Sequence, residues 1–397
     1  MRAGWSIATS GDRSLALQRL QVSVPAQPSK CDVLIGRGIL SAAGTEIRRR
    51  LGRRAQRLAL VSNKKVFKLY GPAVVDSLEA SGFQVSHWLM GDGERYKSLK
   101  TAETALQFFS EHGIERTDAV VSLGGGVTGD VSGFAAATYL RGISFVQIPT
   151  TLVAQIDASI GGKVGVNLSS GKNRAGAFHQ PRVVIADLET LKTLPARELT
   201  AGWCECIKQG AIGGRKLFKQ TVDYLSQTTG KRMAVSLQLQ NLIAVHLAFK
   251  ASIVRSDARE DPERKDPRSR RILNFGHTVG HALEELTGYR RFRHGEAVGW
   301  GMLVAGELSK NLGLLDQSEL ESLRAGVRLC GPLPAARDID ADAILNAVTH
   351  DKKSARGLVQ WILLERIGRP RIVSGNEIDV AILSMSIRDV LQKRNYE

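Results

Sequence analysis

The segment Asn274–Gly301, NFGHTVGHALEELTGYRRFRHGEAVGWG, holds three of the chain's eight histidines: His277, His281 and His294. His277 and His281 stand four residues apart in a stretch whose apolar residues Val279, Leu283 and Leu286 recur at helical spacing, so both rings leave one helical face. Neutral imidazoles in that arrangement suit a zinc-like ion. Two histidines on a helix serve equally well as core or surface residues. His294 follows an arginine-rich loop and opens a second helical stretch, with Gly295 and Glu296 in its first turn.

Further along, other residue types cluster around glycines. Gly124–Asp130, GGGVTGD, follows an apolar run and opens an alanine-rich helix. Its glycines permit positive φ and close approach to a pyrophosphate, and the helix start offers free N–H groups. The match to GxGxxG falls in a late βα unit and lacks an acid about twenty residues on, so it reads as a non-classical nucleotide site or a tight turn. Asp92–Lys97, DGERYK, ends another apolar run with Glu94 and Lys97 at a crevice edge. Thr150 and Thr151 end a third in the same way. Asp157 precedes Gly161-Gly162-Lys163, and Gly171-Lys172-Asn173 follows. Lysines beside glycines in loops suit phosphate or carboxylate, because small neighbours let an anion approach. Glu205 and Lys208 lie one turn apart among Trp203, Cys204, Cys206 and Ile207, so the pair is either a surface ion pair or a buried one that wants a cation or metal. Lys250, Arg270 and the Lys352-Lys353 pair add positive charge.

The elements that must position these groups divide the chain. From Cys31 the runs CDVLIG, RLALVS, FQVSHWLM, DAVVSL, SFVQI and VVIAD alternate with helix-like stretches such as Val66–Ala80 and Leu99–His112. Such alternation predicts a mostly parallel, doubly wound sheet with its ligand crevice at the carboxyl ends of the strands. After Pro195, helices are predicted over Arg197–Ile212, Met233–Ser256, Asn274–Thr287, Glu296–Leu312, Gln317–Leu329 and Glu377–Lys393, with Val359–Leu364 the one strand. The reading is an N-terminal extension at 1–29, an α/β dinucleotide-binding domain at 30–195 and a mainly α-helical metal- and substrate-binding domain at 196–397. Arg259–Ser269, polar and with two prolines, reads as a mobile loop.

A chain of 397 residues with 43% hydrophobic and 24% charged residues is ordinary for a soluble enzyme of about two domains. No uninterrupted apolar run reaches the ~18 residues of a membrane span. The net charge of +16 concentrates in Arg48–Arg54, Arg264–Arg271 and Arg290–Arg293. No nucleic-acid motif accompanies it, and aromatics make up only 6%, so nucleic acid and membrane are not expected partners. Four cysteines form no CxxC pair, which points to a reduced, cytoplasmic compartment.

Taken in order, GGGVTGDVSGFAAATYLRG, QIPTTLVAQIDASIGGKVGVN, GKNRAGAFHQP, LKTLPARELTAGWCECIKQG, ILNFGHTVGHALE and HGEAVGWGM resemble the successive motifs of the 3-dehydroquinate synthases, over about Asp32 to Leu391. The resemblance implies a Rossmann-like NAD domain followed by a helical domain, the dehydroquinate synthase-like fold, in a homodimer. It implies a divalent metal, Zn2+ or Co2+, on Glu205, His277 and His294, with His281 moved to the substrate phosphate. It implies NAD against Asp92, Glu94, Lys97, Gly125, Gly126, Val127, Gly129, Asp130, Thr150, Thr151, Asp157, Lys163, Lys172 and the segment Thr190, Leu191, Lys192 and Thr193. Lys163, Asn173, Asn274, His281 and Lys352 or Lys353 match the phosphate pocket; Lys250 and Arg270 match holders of a carboxylate, Lys208 a residue near the hydroxyls, and Arg141 an arginine lent across a dimer.

The implied substrate, 3-deoxy-D-arabino-heptulosonate 7-phosphate, carries a phosphate and a carboxylate, which explains the ring of cations. Asn63 stands where the family usually has Asp and Lys65 where it has Asn, a change at the adenosine ribose; NAD is still expected over NADP. The longer 259–269 segment leaves Arg270 and Arg271 both open as the carboxylate residue. The rival readings are a sister sugar phosphate cyclase, a metal-dependent NAD alcohol dehydrogenase, and a basic nucleic-acid-binding protein.

Overall fold

The structure, a computed structural model, describes residues 30–228, 234–350 and 359–392. The expected N-terminal extension at 1–29 and the Lys352-Lys353 pair lie outside them. The first half runs β1 (Asp32–Gly36), α1 (Ala43–Leu51), β2 (Arg57–Asn63), α2 (Lys64–Ala80), β3 (Gln84–Met90), α3 (Leu99–Glu111), β4 (Ala119–Gly124), α4 (Gly126–Thr138) and β5 (Ser144–Pro149). A π-helical turn (Ala154–Ala158), β6 (Lys163–Leu168), β7 (Gly171–Phe178) and β8 (Val183–Asp187) complete it. The second half is α5 (Ala196–Gly213), α6 (Arg215–Thr228), α7 (Leu237–Ser256), α8 (His277–Leu286), α9 (His294–Asn311), α10 (Gln317–Leu329) and α11 (Ala341–His350), then β9 (Gln360–Arg366), β10 (Arg369–Ser374) and α12 (Val380–Leu391).

The six apolar runs marked in the sequence are the six strands of one sheet, ordered β1-β8-β5-β4-β2-β3, with every neighbouring pair parallel. β4 and β8 are buried at every residue, and β2 and β5 at all but the first, as expected of strands covered by helices on both faces. The chain leaves β2 outward to β3, then crosses back to β4. Winding therefore reverses between β2 and β4, and the crevice there opens above Asn63 and the Gly124–Gly126 turn.

Three local expectations change. The lysine–glycine segments read as loops form an antiparallel ribbon, β6 with β7, in which Gly165 faces Gly176. Half-exposed Gly, Lys and Asn positions hide its alternation. A second strand, β10, pairs with the one expected near Val359–Leu364, through a bulge at Arg369 and Pro370. Two further helices, α6 and α11, lie between those expected from the sequence. The 259–269 segment forms no helix or strand, but Asp257 fastens it by accepting from the Asp261 and Arg270 N–H groups, both at 2.8 Å.

By length and composition α7 is long and apolar enough to cross a membrane, with 44% of that window buried inside the protein. It lies instead against α5, α6 and the π turn, with Lys250 and His246 buried. α9 is enclosed over most of its length, because Gly295 and Gly301 let neighbouring backbones approach. A Cβ at Gly295 would lie 1.9 Å from the Ala201 carbonyl oxygen, and one at Gly301 1.8 Å from that of Gly276. These contacts carry the start of α9 to the middle of α5 and to the start of α8.

Candidate active site

That packing assembles a cluster from three helices. His277 opens α8, His281 follows one turn later and His294 opens α9; their ligand atoms all lie within 4.8 Å of one another. Glu205, in mid α5, brings Oε1 to 3.7 Å from His294 Nε2. Its side chain is 1% exposed, and neither carboxylate oxygen accepts a well-aligned hydrogen bond among the described residues, although Lys208 Nζ stands 2.6 Å from Oε2. A buried carboxylate in that state calls for a further cation.

The histidines are oriented from behind. His277 Nδ1 faces the Phe275 carbonyl at 3.3 Å, and His294 Nδ1 faces Glu284 Oε2 at 3.3 Å, so each ring keeps Nε2 for the cluster. Burial, reinforced by the charge of Lys208, holds His277 well below its ordinary pKa and therefore neutral. For His294 burial opposes the charge, but the Glu284 and Glu205 carboxylates outweigh it and raise the pKa. One carboxylate and two imidazoles with fixed rings form a donor set that fits a divalent metal with open positions. His281 is the most exposed of the three rings, 5.3 Å from His277 and 5.8 Å from His294 between centroids.

A line of charges leads from this cluster into the α/β half. Glu284 Oε1 accepts from Lys172 Nζ at 3.0 Å, and Lys172 stands 3.6 Å from Glu94. Glu94 also accepts from Asn167 at 2.8 Å. Lys97 Nζ sits 2.5 Å from both Asp130 and Asn173. Burial would raise the Glu284 pKa, yet His294 and Lys172 bring it down to about 2. Nearby, α4 begins at Gly126 with no side chain capping its N-terminal N–H groups. Gly125 and Gly126 are not in positive φ, contrary to part of the sequence argument. A Cβ at Gly125 would reach 3.1 Å from Thr151, so the absent side chains keep a cradle open over bare donors, which fits a pyrophosphate. Thr150 N–H donates to the Gly124 carbonyl at 2.9 Å, binding the β5 end to this turn. Thr190, Leu191, Lys192 and Thr193 lie in a 3-10 turn after β8, with the Thr193 hydroxyl against Tyr70 OH.

On the other side of Glu205, Lys250 Nζ lies 2.7 Å from Asp157 Oδ1. Burial would raise the Asp157 pKa, but Lys250 and Lys208 outweigh it and keep the carboxylate ionised. Arg270 is 2% exposed and donates to the Gly161 carbonyl at 3.0 Å and the Ala258 carbonyl at 3.1 Å. Lys163 is exposed and pairs with Glu260 from the 259–269 segment, and Asn274 is also exposed. Arg141 stands exposed with positive φ on the turn after α4, and no hydrogen bond or ion pair among the described residues joins it to this group. Lys352 falls outside the described residues. The sequence reading missed Glu284, Gln209 and His246. For Glu284 a signal existed, since it follows His277 and His281 at i+7 and i+3 on α8.

Residues 87–201 match the family model for the 3-dehydroquinate synthase N-terminal region, and residues 202–354 that for the 3-dehydroquinate synthase C-terminal region. A 3-dehydroquinate synthase of Nostoc sp. is 43% identical over 340 residues, which is 85% of this chain and 90% of the relative. Among solved structures, 2-epi-5-epi-valiolone synthase from Streptomyces hygroscopicus with NAD+ and Zn2+ bound superposes with a TM-score of 0.82 at 27% identity, covering 93% of this chain and 99% of that one. A 2-deoxy-scyllo-inosose synthase complexed with carbaglucose-6-phosphate, NAD+ and Co2+ gives 0.77 at 26% identity, covering 90% and 96%.

Proposed function

The chain belongs to the 3-dehydroquinate synthase family, and we infer that it is the phosphate-eliminating lyase converting 3-deoxy-D-arabino-heptulosonate 7-phosphate to 3-dehydroquinate and phosphate, in the shikimate route to aromatic amino acids. The observation that carries this reading is the buried Glu205 carboxylate, without an aligned donor, between Lys208 and His294, a ring that also stands 5.1 Å from His277 and faces the charge line through Glu284. The cofactors are NAD and a divalent cation, zinc or cobalt. When bound, they supply transient oxidation of a substrate hydroxyl and acidify that hydroxyl.

Glu205, His277 and His294 would hold the cation, and Glu284 fixes the His294 ring by taking its Nδ1 proton in a hydrogen bond. Lys250 and Arg270 bind the substrate carboxylate. Both are buried, and a buried cation paired with carbonyl oxygens or with one shared carboxylate still favours an incoming anion. Lys208 faces the hydroxyls that react. Lys163, Asn173, Asn274 and His281, with Lys352 or Lys353, bind the phosphate. Residues 30–195 would carry NAD, with the dinucleotide phosphates over Gly125, Gly126 and the start of α4, and 196–397 the metal and substrate. A cytoplasmic homodimer with Arg141 at its interface, and no nucleic-acid partner, completes the proposal.

The second reading, a sister sugar phosphate cyclase, rests on the solved neighbours, whose identities are 26% and 27% against 43% for the curated synthase. Lys250 and Arg270 together favour a substrate with a carboxylate. The test is phosphate release from the heptulosonate phosphate with NAD and Zn2+ or Co2+. Turnover is expected. No release from it, with release from a sedoheptulose phosphate that lacks the carboxylate, would replace this reading with the second.

A further inference from the structure

Behind the cations runs a buried line of uncharged groups. Gln209 follows Lys208 on α5, and His246 precedes Lys250 by one turn on α7. Gln209 Nε2 donates to the Ile156 carbonyl at 3.1 Å, and its Oε1 lies 3.0 Å from His246 Nδ1. On the far side, His246 Nε2 lies 3.0 Å from Thr221 Oγ1 on α6. Gln209, His246 and Thr221 are all 0% exposed, so bulk solvent does not reach their polar atoms.

Donor and acceptor rules fix the direction of this line. An amide oxygen only accepts, so His246 Nδ1 must carry a hydrogen. Burial keeps the ring neutral, with its pKa lowered to about 3, so Nε2 is an acceptor and the Thr221 hydroxyl turns its proton toward it. The Leu217 carbonyl, 2.8 Å from the same hydroxyl, keeps its place in the helix ladder. The order is therefore Thr221 to His246, His246 to Gln209, and Gln209 to the Ile156 carbonyl. Reversing the amide or changing the tautomer would set two acceptors or two donors face to face.

The line ends on the π turn. The next residue after Ile156, Asp157, receives Lys250 Nζ on its carboxylate at 2.7 Å and on its backbone carbonyl at 2.5 Å. π turns are rare and are held by their surroundings. We propose that His246 is a positioning residue: through Gln209 it fixes the Ile156–Asp157 peptide, and so sets where the Lys250 ammonium stands for the substrate carboxylate. This rests on the reading of Lys250 given above.

Three variants test it. His246→Asn keeps a donor close to the place of Nδ1, whereas His246→Gln sets its amide near Nε2 and removes the donor to Gln209. Thr221→Val removes only the outer donor. With NAD and Zn2+ loaded, the Gln variant should raise the KM for the heptulosonate phosphate tenfold or more with kcat within threefold, and Asn should recover most of that loss. Thr221→Val should raise KM by a smaller factor. A KM in the Gln variant equal to that of wild type, or equal losses in Asn and Gln, would overturn the proposal. A second readout needs no turnover: amine acylation mapped by peptide mass spectrometry should label Lys250 faster in the Gln variant than in wild type or Asn. If wild type does not turn over the substrate, the functional reading fails, while labelling alone still decides this one: unchanged Lys250 labelling in the Gln variant refutes it.

Discussion

Replacing His277 and His281 separately by Ala distinguishes the two metal shells that these helices can build. His277 has its Nδ1 taken by the Phe275 carbonyl and is held neutral, so its Nε2 lone pair is available to a cation facing Glu205. On the proposed set of Glu205, His277 and His294, removing it takes one ligand of three. Outer-shell changes typically cost 10–100-fold in metal affinity, so losing this ligand should cost more than about 100-fold, or about 2.7 kcal/mol. His281 is exposed, and its truncation should change affinity by no more than about tenfold, roughly 1.4 kcal/mol, while turnover should fall with the loss of the phosphate contact proposed for it. Metal content after dialysis against a chelator, followed by titration with a competing chromophoric chelator, measures both. Equal losses in the two variants, together with full metal retention in Glu205→Gln, would refute the reasoning and put His277, His281 and His294 around the ion.

The other expectations concern stability, cofactor choice and the carboxylate pocket. The folded protein keeps His246 neutral down to about pH 3, whereas the unfolded chain protonates this ring below its ordinary 6.5. The resulting stability is complete above about pH 6.5 and is lost as pH falls toward 3, by up to about 5 kcal/mol at about 1.36 kcal/mol per pH unit. His246→Asn should flatten that slope in urea unfolding at pH 7.5, 5.5 and 4.5, taken as about one unit above the ordinary value, one below and two below; an unchanged slope would show that the buried ring is not its source. NAD should bind at least tenfold tighter than NADP by calorimetry. Asn63 is occupied capping α2 at Val66 N and reaching Asp92 at 3.3 Å, which leaves the Asp92 carboxylate to oppose a 2′-phosphate; equal affinities would count against this. Gly161 has φ +98 and an added Cβ would lie 2.3 Å from Arg270 Nη2. Gly161→Ala should therefore lower stability by about 1–3 kcal/mol and raise KM for the substrate, since the strained turn must push the guanidinium aside. An unaltered KM with normal folding would remove Arg270 from the carboxylate site.

How much of this was legible depends on where the information lies. Strands buried on both faces must be apolar throughout, so β2, β4, β5 and β8 stand out as short continuous runs, and the edge strands β1 and β3, only partly buried, are found by their place in the alternation with helices. The ribbon of β6 and β7 is half exposed and rich in glycine, and its period of two is masked. Helical spacing displays His277 and His281 together because both belong to α8. His294 and Glu205 reach them only through tertiary contacts at Gly295 and Gly301, which have no local signature. The family resemblance supplied that grouping from ordered motifs, which is a different kind of information from residue spacing. His246 illustrates the reverse case: a lone histidine in an apolar helix carries no motif, and its partners come from two other helices, one of which reaches the π turn through Gln209.

Glu284 shows why the two halves of the site are tied by electrostatics as well as by packing. Its one carboxylate faces His294 of the histidine cluster through Oε2 and Lys172 through Oε1, while Lys172 also faces Glu94 at the sheet crevice. Glu284 is only 4% exposed in its side chain, so solvent does little to screen either contact. Without the charge of Lys172, half-buried Glu94 would face the buried Glu284 carboxylate uncompensated, and that charge raises the Glu94 pKa. Were Glu284 neutral, His294 would lose the partner that turns its Nε2 toward Glu205. The orientation of the ring on α9 that faces Glu205 therefore depends on a lysine of β7, and the charge of that lysine is shared with the crevice that opens on the Gly125–Asp130 turn.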